Sequence, residues 1–305
     1  MQNAPVEIHR LEPEQAMQPA TITSTASTAE RNGWQARLRL DLRVDTRERT
    51  VLAVCRHQGP LQLQRPFYPE ADGACHLYIL HPPGGVVGGD SLEIEATLAQ
   101  NAQALITTPA AGRFYRSAGA VARQVQTLRL AQGAALEWLP QETILFAGAR
   151  ARAITRIELS HDSRFLGWEI LCLGRPAAGE RFTHGAFIQT FELWRDALPL
   201  YLERGRFQGG DPVATAPWGM AGQPVTATLL CTLQQAGPVE AIRADWGETG
   251  EAELFGVTTQ LDGVLVCRYR GSSVGRAKEL FLRAWRRLRP ALLGKPPRLP
   301  RIWQT

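Results

Sequence analysis

The sequence predicts a mainly β protein, and three observations carry that reading. Apolar residues fall on every second position in several separate segments, Gly and Pro punctuate the chain between them, and no helical period longer than about three turns occurs before residue 237. The expected form is an antiparallel β-rich body with a few short helices and a C-terminal α/β segment that ends in a basic helix. At 305 residues, 44% hydrophobic and 21% charged, the chain has the composition of a folded protein, not of a disordered or collagen-like one.

Residues 1–32 mix Glu, Gln, Pro and a Thr/Ser run without an apolar period, and are read as a flexible tail. Residues 33–305 form the expected β-rich domain. It begins at Gly33-Trp34, where Ala36, Leu38, Leu40, Leu42 and Val44 alternate with Arg37, Arg39, Asp41 and Arg43. That is a strand with one face in a core and one in water. The two-residue period returns at Leu92 to Leu98, at Leu128 and Leu130, and from Val225 to Leu233. Shorter strands are expected at Thr50–Val54, Cys75–Leu80, Ala153–Leu159, Phe187–Trp194 and Val264–Tyr269. A short helix is expected from Pro238 to Gly247, then strands around Ala252–Gln260 and Val264–Arg270 joined at Asp262-Gly263. Ser273 is placed to cap a helix from Val274 to Arg289, which carries Ala277, Phe281, Ala284, Trp285 and Leu288 on one face and arginines on the other. Pro290 is expected to close or kink it.

Net charge is +5, but residues 276–305 hold nine basic groups against the single acid Glu279, so the rest of the chain is slightly acidic. Five widely spaced cysteines (Cys55, Cys75, Cys172, Cys231 and Cys267) include no C-x-x-C, which argues against a disulfide framework or a zinc site and for buried, reduced thiols. No run approaches the ~20 apolar residues of a membrane-spanning helix, and the first residues lack the pattern of a secretory signal. A cytoplasmic protein is the expectation.

Enzyme signatures fail on their own terms. Gly271-Ser272-Ser273-Val274-Gly275 matches the nucleophile elbow G-x-S-x-G between strand and helix, but no His and no Asp follows Ser273. The serine is read as a helix cap. The run Pro82-Pro83-Gly84-Gly85-Val86-Val87-Gly88-Gly89-Asp90 lacks the lysine of a P-loop and leads into a strand, so it is read as a rigid, close-packed connection. Cys75 and His76 point to opposite faces of a strand and cannot share an ion without a bulge. Glu137 and Glu142 within Leu136–Ile144, and Glu169 after Gly167-Trp168, are carboxylates in apolar surroundings. Such groups pair with a base, bind a cation, or line a wet channel.

The same segments carry a resemblance. Gly59-Pro60-Leu61, the run Gln64-Arg65-Pro66-Phe67-Tyr68-Pro69-Glu70, Cys75-His76, His81 through Asp90, and Thr107-Thr108-Pro109-Ala110 are similar, in order, to the urease accessory protein UreD (UreH) family. Phe114-Tyr115-Arg116-Ser117, Leu136 to Ile144, Gly167-Trp168-Glu169, Leu173-Gly174-Arg175-Pro176 and Pro300-Arg301-Ile302-Trp303 continue the series. Arg113 departs from the lysine that the resemblance leads one to expect.

The resemblance implies an elongated β-dominated fold and a maturation factor without catalytic activity. With UreF-like and UreG-like accessory proteins it would bind urease apoprotein and assist GTP-dependent nickel insertion, the GTP hydrolysis belonging to the UreG-like protein. It implies no stably bound cofactor, and neither nucleic acid nor membrane as partner. Because nickel binds imidazole and thiolate tightly, a carrier that must release it is better served by isolated carboxylates. Asp90, Glu137, Glu142 and Glu169 are the candidates for such a transient nickel path. The alternatives are a general protein-interaction scaffold without metal handling and a nucleic-acid binder acting through the basic end; neither accounts for the ordered motifs.

Overall fold

The computed structural model describes residues 33–233, 237–247, 254–259 and 263–304, all within one unit spanning Asn32–Thr305. The expected N-terminal tail, Asp262 of the expected turn, and Ala252 and Gln260 lie outside the described residues. Strands β1 (Gln35–Val44), β2 (Thr50–Gln58) and β3 (Gln62–Leu63) lead into a coiled path. In it β4 (Cys75–Leu80) is followed by β5 (Ser91–Leu98), and β6 (Gln103–Thr107) with the short β7 (Gly112–Phe114) by β8 (Ala122–Leu130). Next, β9 (Ala135–Leu139) with β10 (Thr143–Leu145) precedes β11 (Arg150–Leu159), and β12 (Arg164–Arg175) with β13 (Glu180–Arg181) precedes β14 (Ala186–Arg195). The chain then forms β15 (Leu198–Gln208), β16 (Val225–Thr232), helix α1 (Gly237–Trp246), β17 (Leu254–Thr259), β18 (Val264–Gly271) and helix α2 (Val274–Leu293).

Among the described residues two sheets result. The outer one runs β15-β14-β11-β8-β5-β1-β2, and the central one runs β17-β18-β16-β12-β9-β6-β4-β3. Each coil lays one strand in each sheet and returns in the same direction. Hence β1, β5, β8, β11 and β14 are parallel neighbours, as are β4, β6, β9 and β12. Antiparallel pairing is found towards the margins, at β1–β2, β14–β15, β12–β16, β16–β18 and β17–β18. The mainly β class and the C-terminal α/β segment stand, whereas the expected antiparallel body is corrected to a coil with parallel centres. The reason is that an outer sheet with one wet face alternates apolar and polar residues whichever way its neighbours run.

β1 shows that alternation cleanly, with Ala36, Leu38, Leu40 and Leu42 buried against the central sheet and Arg37, Arg39 and Arg43 exposed. The central sheet is covered on both faces. In β16, Val225, Ala227, Leu229 and Cys231 pack towards the helices, while Leu230 joins the core between the sheets. Helix α2 covers that outer face with Ala277, Phe281, Ala284, Trp285 and Leu288. Ser273 caps it as expected, its Oγ accepting from Arg276 N at 3.2 Å. Contrary to expectation the helix continues past Pro290 to Leu293. Buried Leu292, whose carbonyl accepts from Arg164 Nη1 at 3.3 Å, and a left-handed Gly294 whose N–H reaches Pro290 O at 2.9 Å hold the last turn.

The glycine-rich connection is packed against its neighbours. A Cβ on Gly85 would lie 2.1 Å from the Tyr115 ring, and one on Gly88 would lie 2.2 Å from Ser117 Oγ and 2.7 Å from the Ala120 carbonyl oxygen. Val86 N donates to Arg113 O at 2.7 Å and Tyr115 N to Val86 O at 2.9 Å, tying the loop to β7. We expect Gly88→Ala to lower stability by about 1–3 kcal/mol, read as a lower urea midpoint at unchanged m-value.

Candidate functional site

The inner face of the outer sheet is largely apolar, with polar residues gathered on β8, β11 and β14 and Glu203 on the neighbouring β15, where it accepts from Thr228 Oγ1 at 3.3 Å. In β8 the inward phase set by Leu128 and Leu130 continues backwards onto Gln126 and Gln124; in β11 it brings Thr155, and in β14 Gln189. The parallel registers set Gln126 beside Thr155, and Ala153 between Gln124 and Gln189. Opposite them, β12 turns Glu169 into the space between the sheets. Thr155 Oγ1 donates to Glu169 Oε1 and Gln189 Nε2 to Oε2, while Thr155 also stands 2.9 Å from Gln126 Oε1.

These groups line a cavity of about 350 Å³ between the sheets, bounded also by His81, Arg113 and Trp138. The buried Trp138 indole Nε1 has no hydrogen-bond partner among the described residues. Burial pushes the Glu169 carboxyl up to about 7, against the hydrogen bonds of Thr155 and Gln189. Burial also lowers the His81 imidazole, against the nearby charge of Asp90. Near neutral pH, then, the cavity holds a carboxylate close to its midpoint, bonded by a hydroxyl and an amide N–H.

The other three carboxylates stand in different surroundings. Asp90 accepts from Trp34 N at 2.8 Å through Oδ1 and from Val87 N at 2.9 Å through Oδ2, fastening the glycine-rich loop to the start of β1. Glu142 lies between the cavity-lining Gln141 and Thr143, with Lys278 Nζ 2.5 Å from its Oε2. That ammonium donates to Gln141 Oε1 and is poorly aligned for a hydrogen bond to Glu142. Glu137 faces away from the cavity, under α2. It accepts from Trp285 Nε1 at 2.7 Å and from Arg289 Nε at 2.9 and 3.0 Å.

Arg289 corrects the sequence reading, which put the helix arginines on its wet face. It is fully buried and reaches across to Glu70 at 2.7 and 2.8 Å through Nη2. Glu70 is in turn 2.8 Å from His76 Nε2, so Glu137, Arg289, Glu70 and His76 form one buried chain. Burial raises Glu70, but its bonds to His76 and Arg289 hold it down at about 2. Burial pushes Glu137 up against the pull of Arg289 and Trp285.

Four of the five thiols are buried as expected, and Cys55, on β2, is exposed contrary to that expectation. Burial raises Cys75 and Cys172 to about 11 and Cys231 and Cys267 further, keeping them protonated. Among the described residues no three His, Cys, Asp or Glu side chains converge on a point that could hold an ion. The sequence reading found Glu169 but missed Gln124, Gln126, Thr155 and Gln189. Their signal was a polar residue at the inward phase of three otherwise alternating strands.

A model of the UreD urease accessory protein family matches residues 35–304. The chain belongs to that family. It is 47% identical to the urease accessory protein UreD of Azoarcus sp. (strain BH72) over 275 residues, covering 90% of this chain and 95% of the relative. Against the UreD of Dechloromonas aromatica (strain RCB) the identity is 46%, covering 89% and 95%. Against that of Citrobacter koseri it is 46%, covering 90% and 92%. Membership in UreD implies a role in urease maturation. Among the described residues no helix is long and apolar enough to cross a membrane.

Proposed function

We propose that this chain is a non-catalytic cytoplasmic scaffold of urease maturation. With UreF-like and UreG-like accessory proteins it binds urease apoprotein and assists GTP-dependent nickel insertion, GTP hydrolysis belonging to the UreG-like protein. Nickel is cargo in this reading, held in passing and not retained.

The observation that supports a passage for the ion is Glu169, a carboxylate poised near neutrality, with the charge of Glu203 in reach, in a polar-lined cavity between the sheets. In the ionised form it attracts a hydrated divalent cation, while Gln126 and Gln189 supply amide groups and His81 is the one imidazole among the described lining residues. Protonation of Glu169 removes the charge and favours release. Glu142, beside the cavity, gains freedom when Lys278 turns wholly to Gln141. Asp90 and Glu137 stay in the proposed set, Glu137 on the far side of the central sheet, and each also carries structural bonds.

The test is urease activity and bound nickel in a host expressing urease and the other accessory proteins, with this chain absent, restored, or restored as a variant. We expect both to fall without the chain and return with it. Glu169→Gln and Glu142→Ala are expected to lower bound nickel severalfold while the chain stays soluble. Full nickel loading with both variants would remove the relay and leave the scaffold; full loading without the chain would remove the maturation role.

A further inference from the structure

On the wet face of the outer sheet several arginines are paired with acids. Arg37 meets Glu93 at 3.1 Å, Arg129 meets Glu158 at 3.1 Å, and Arg156 meets both Glu158 at 2.7 Å and Glu192 at 3.5 Å. Others meet no acid among the described residues, and in one row two of these are direct neighbours. The registers set Arg123 of β8 beside Arg152 of β11, then Ile188 of β14, then Arg206 of β15. All four side chains are exposed, and none of the three arginines meets a carboxylate among the described residues; Arg206 reaches only Gln208 Oε1, at 3.2 Å. Like charges directly opposite on neighbouring strands repel, and here nothing in the described chain offsets them.

On its other side the register carries the row through Ser91 of β5 to Gln35 of β1, and two exposed apolar residues lie next to it along the chain, Trp34 before Gln35 and Val121 before Ala122 and Arg123. Trp34 is 56% and Val121 57% exposed. Both are fixed by the same turn: Trp34 N donates to Asp90 Oδ1, and Arg123 N, two residues after Val121, donates to Asp90 O at 2.8 Å. The close-packed glycines described above hold that turn, so the patch is ordered before anything binds.

We propose that Trp34, Val121, Arg123, Arg152, Ile188 and Arg206 form a docking surface for a partner protein that presents a carboxylate-rich face. The proposal rests on the maturation reading and names the part of this chain that meets a partner. Charge complementarity selects the acids: a row of guanidinium groups at strand spacing without internal counter-charges is satisfied by carboxylates from outside. The apolar residues select a protein over a polyanion. An indole, a valine and an isoleucine interleaved with arginines are the anchor types that fill the centre of protein interfaces, whereas a phosphate backbone makes no use of them.

The test uses the full chain and purified urease apoprotein, UreF-like protein and UreG-like protein, each titrated by interferometry at low and high salt. The variants are Arg123→Glu with Arg152→Glu, and Trp34→Ala. Arg43→Glu with Arg47→Glu, at the opposite end of β1, makes the same change in net charge. We expect the Arg123/Arg152 reversal and Trp34→Ala each to weaken binding to one of the three proteins by about tenfold or more, and the control pair to leave it unchanged. Wild-type binding that survives both patch variants overturns this surface and leaves the maturation reading intact. A wild type that binds none of the three proteins overturns both. Loss of binding with the control pair as well, or retention of the patch arginines by DNA or anionic vesicles alone, overturns the protein-docking assignment.

Discussion

Arg289→Ala is expected to destabilise the protein by about 3–5 kcal/mol, enough to leave much of it unfolded at ambient temperature. The guanidinium is buried between Glu137 and Glu70 and also donates to the Pro296 carbonyl. Removing it leaves two buried carboxylates without their counter-charge and detaches helix α2 from the central sheet. The measurement is the urea midpoint, with Arg286→Ala, an exposed neighbour on the same helix, expected to change it little. Replacing the network as a whole, with Arg289→Met, Glu137→Gln and Glu70→Gln together, should recover a large part of the loss, because the penalty lies in the unpaired charges. Acid sensitivity offers a second readout. Glu70 sits at about 2 in the folded protein against 4.5 ordinarily, so its contribution is complete above pH 4.5 and is lost as pH falls towards 2. Arg289→Ala should flatten that acid limb, and an unchanged limb would show that Arg289 does not hold Glu70 down.

Glu169→Gln should act with the opposite sign on the other side of neutrality. The folded carboxyl titrates at about 7 and the unfolded one near 4.5, so between these values the native state holds a proton that unfolding releases. Stability through this group therefore falls as pH rises from 4.5 through 7 and then levels off. Glutamine keeps an acceptor for Thr155 and has no charge to bury. The variant should be more stable than the parent by up to about 3 kcal/mol at the alkaline end, and equal to it near pH 4.5. Urea midpoints across that range decide it; parallel curves for parent and variant would mean that Glu169 is solvated and that the cavity does not shift it. A gain in stability joined to a loss of urease nickel would mark a residue kept at a structural cost for what it does.

Some of this was legible residue by residue. The alternation from Ala36 to Val44 identified a half-buried strand, Ser273 identified a helix start, and Cys75–Leu80 was bounded as it folds. The readings of Ser273 as a helix cap and of the glycine-rich run as a close-packed connection also hold, since both depend on local chemistry. Strand direction was not legible, because β5 and β8 would show the same period beside antiparallel neighbours. Nor was the fate of the charges. Arg289 looked like one more arginine on a basic helix until the fold brought Glu70 to it from 219 positions away.

The sequence by itself therefore determined the β class, the positions of the strongly periodic elements such as β1, β4 and β16, and the family, all of which follow from local periodicity and ordered motifs. Only the tertiary structure decided which carboxylates are paired and which one is left in a cavity. Glu137 and Glu169 are alike in sequence, each an acid within an apolar strand. They differ because β9 turns one towards α2 and Arg289, while β12 turns the other towards Gln126, Thr155 and Gln189. The energy of a buried charge depends on what lies within a few ångströms, and in a coiled sheet those neighbours come from other turns of the chain.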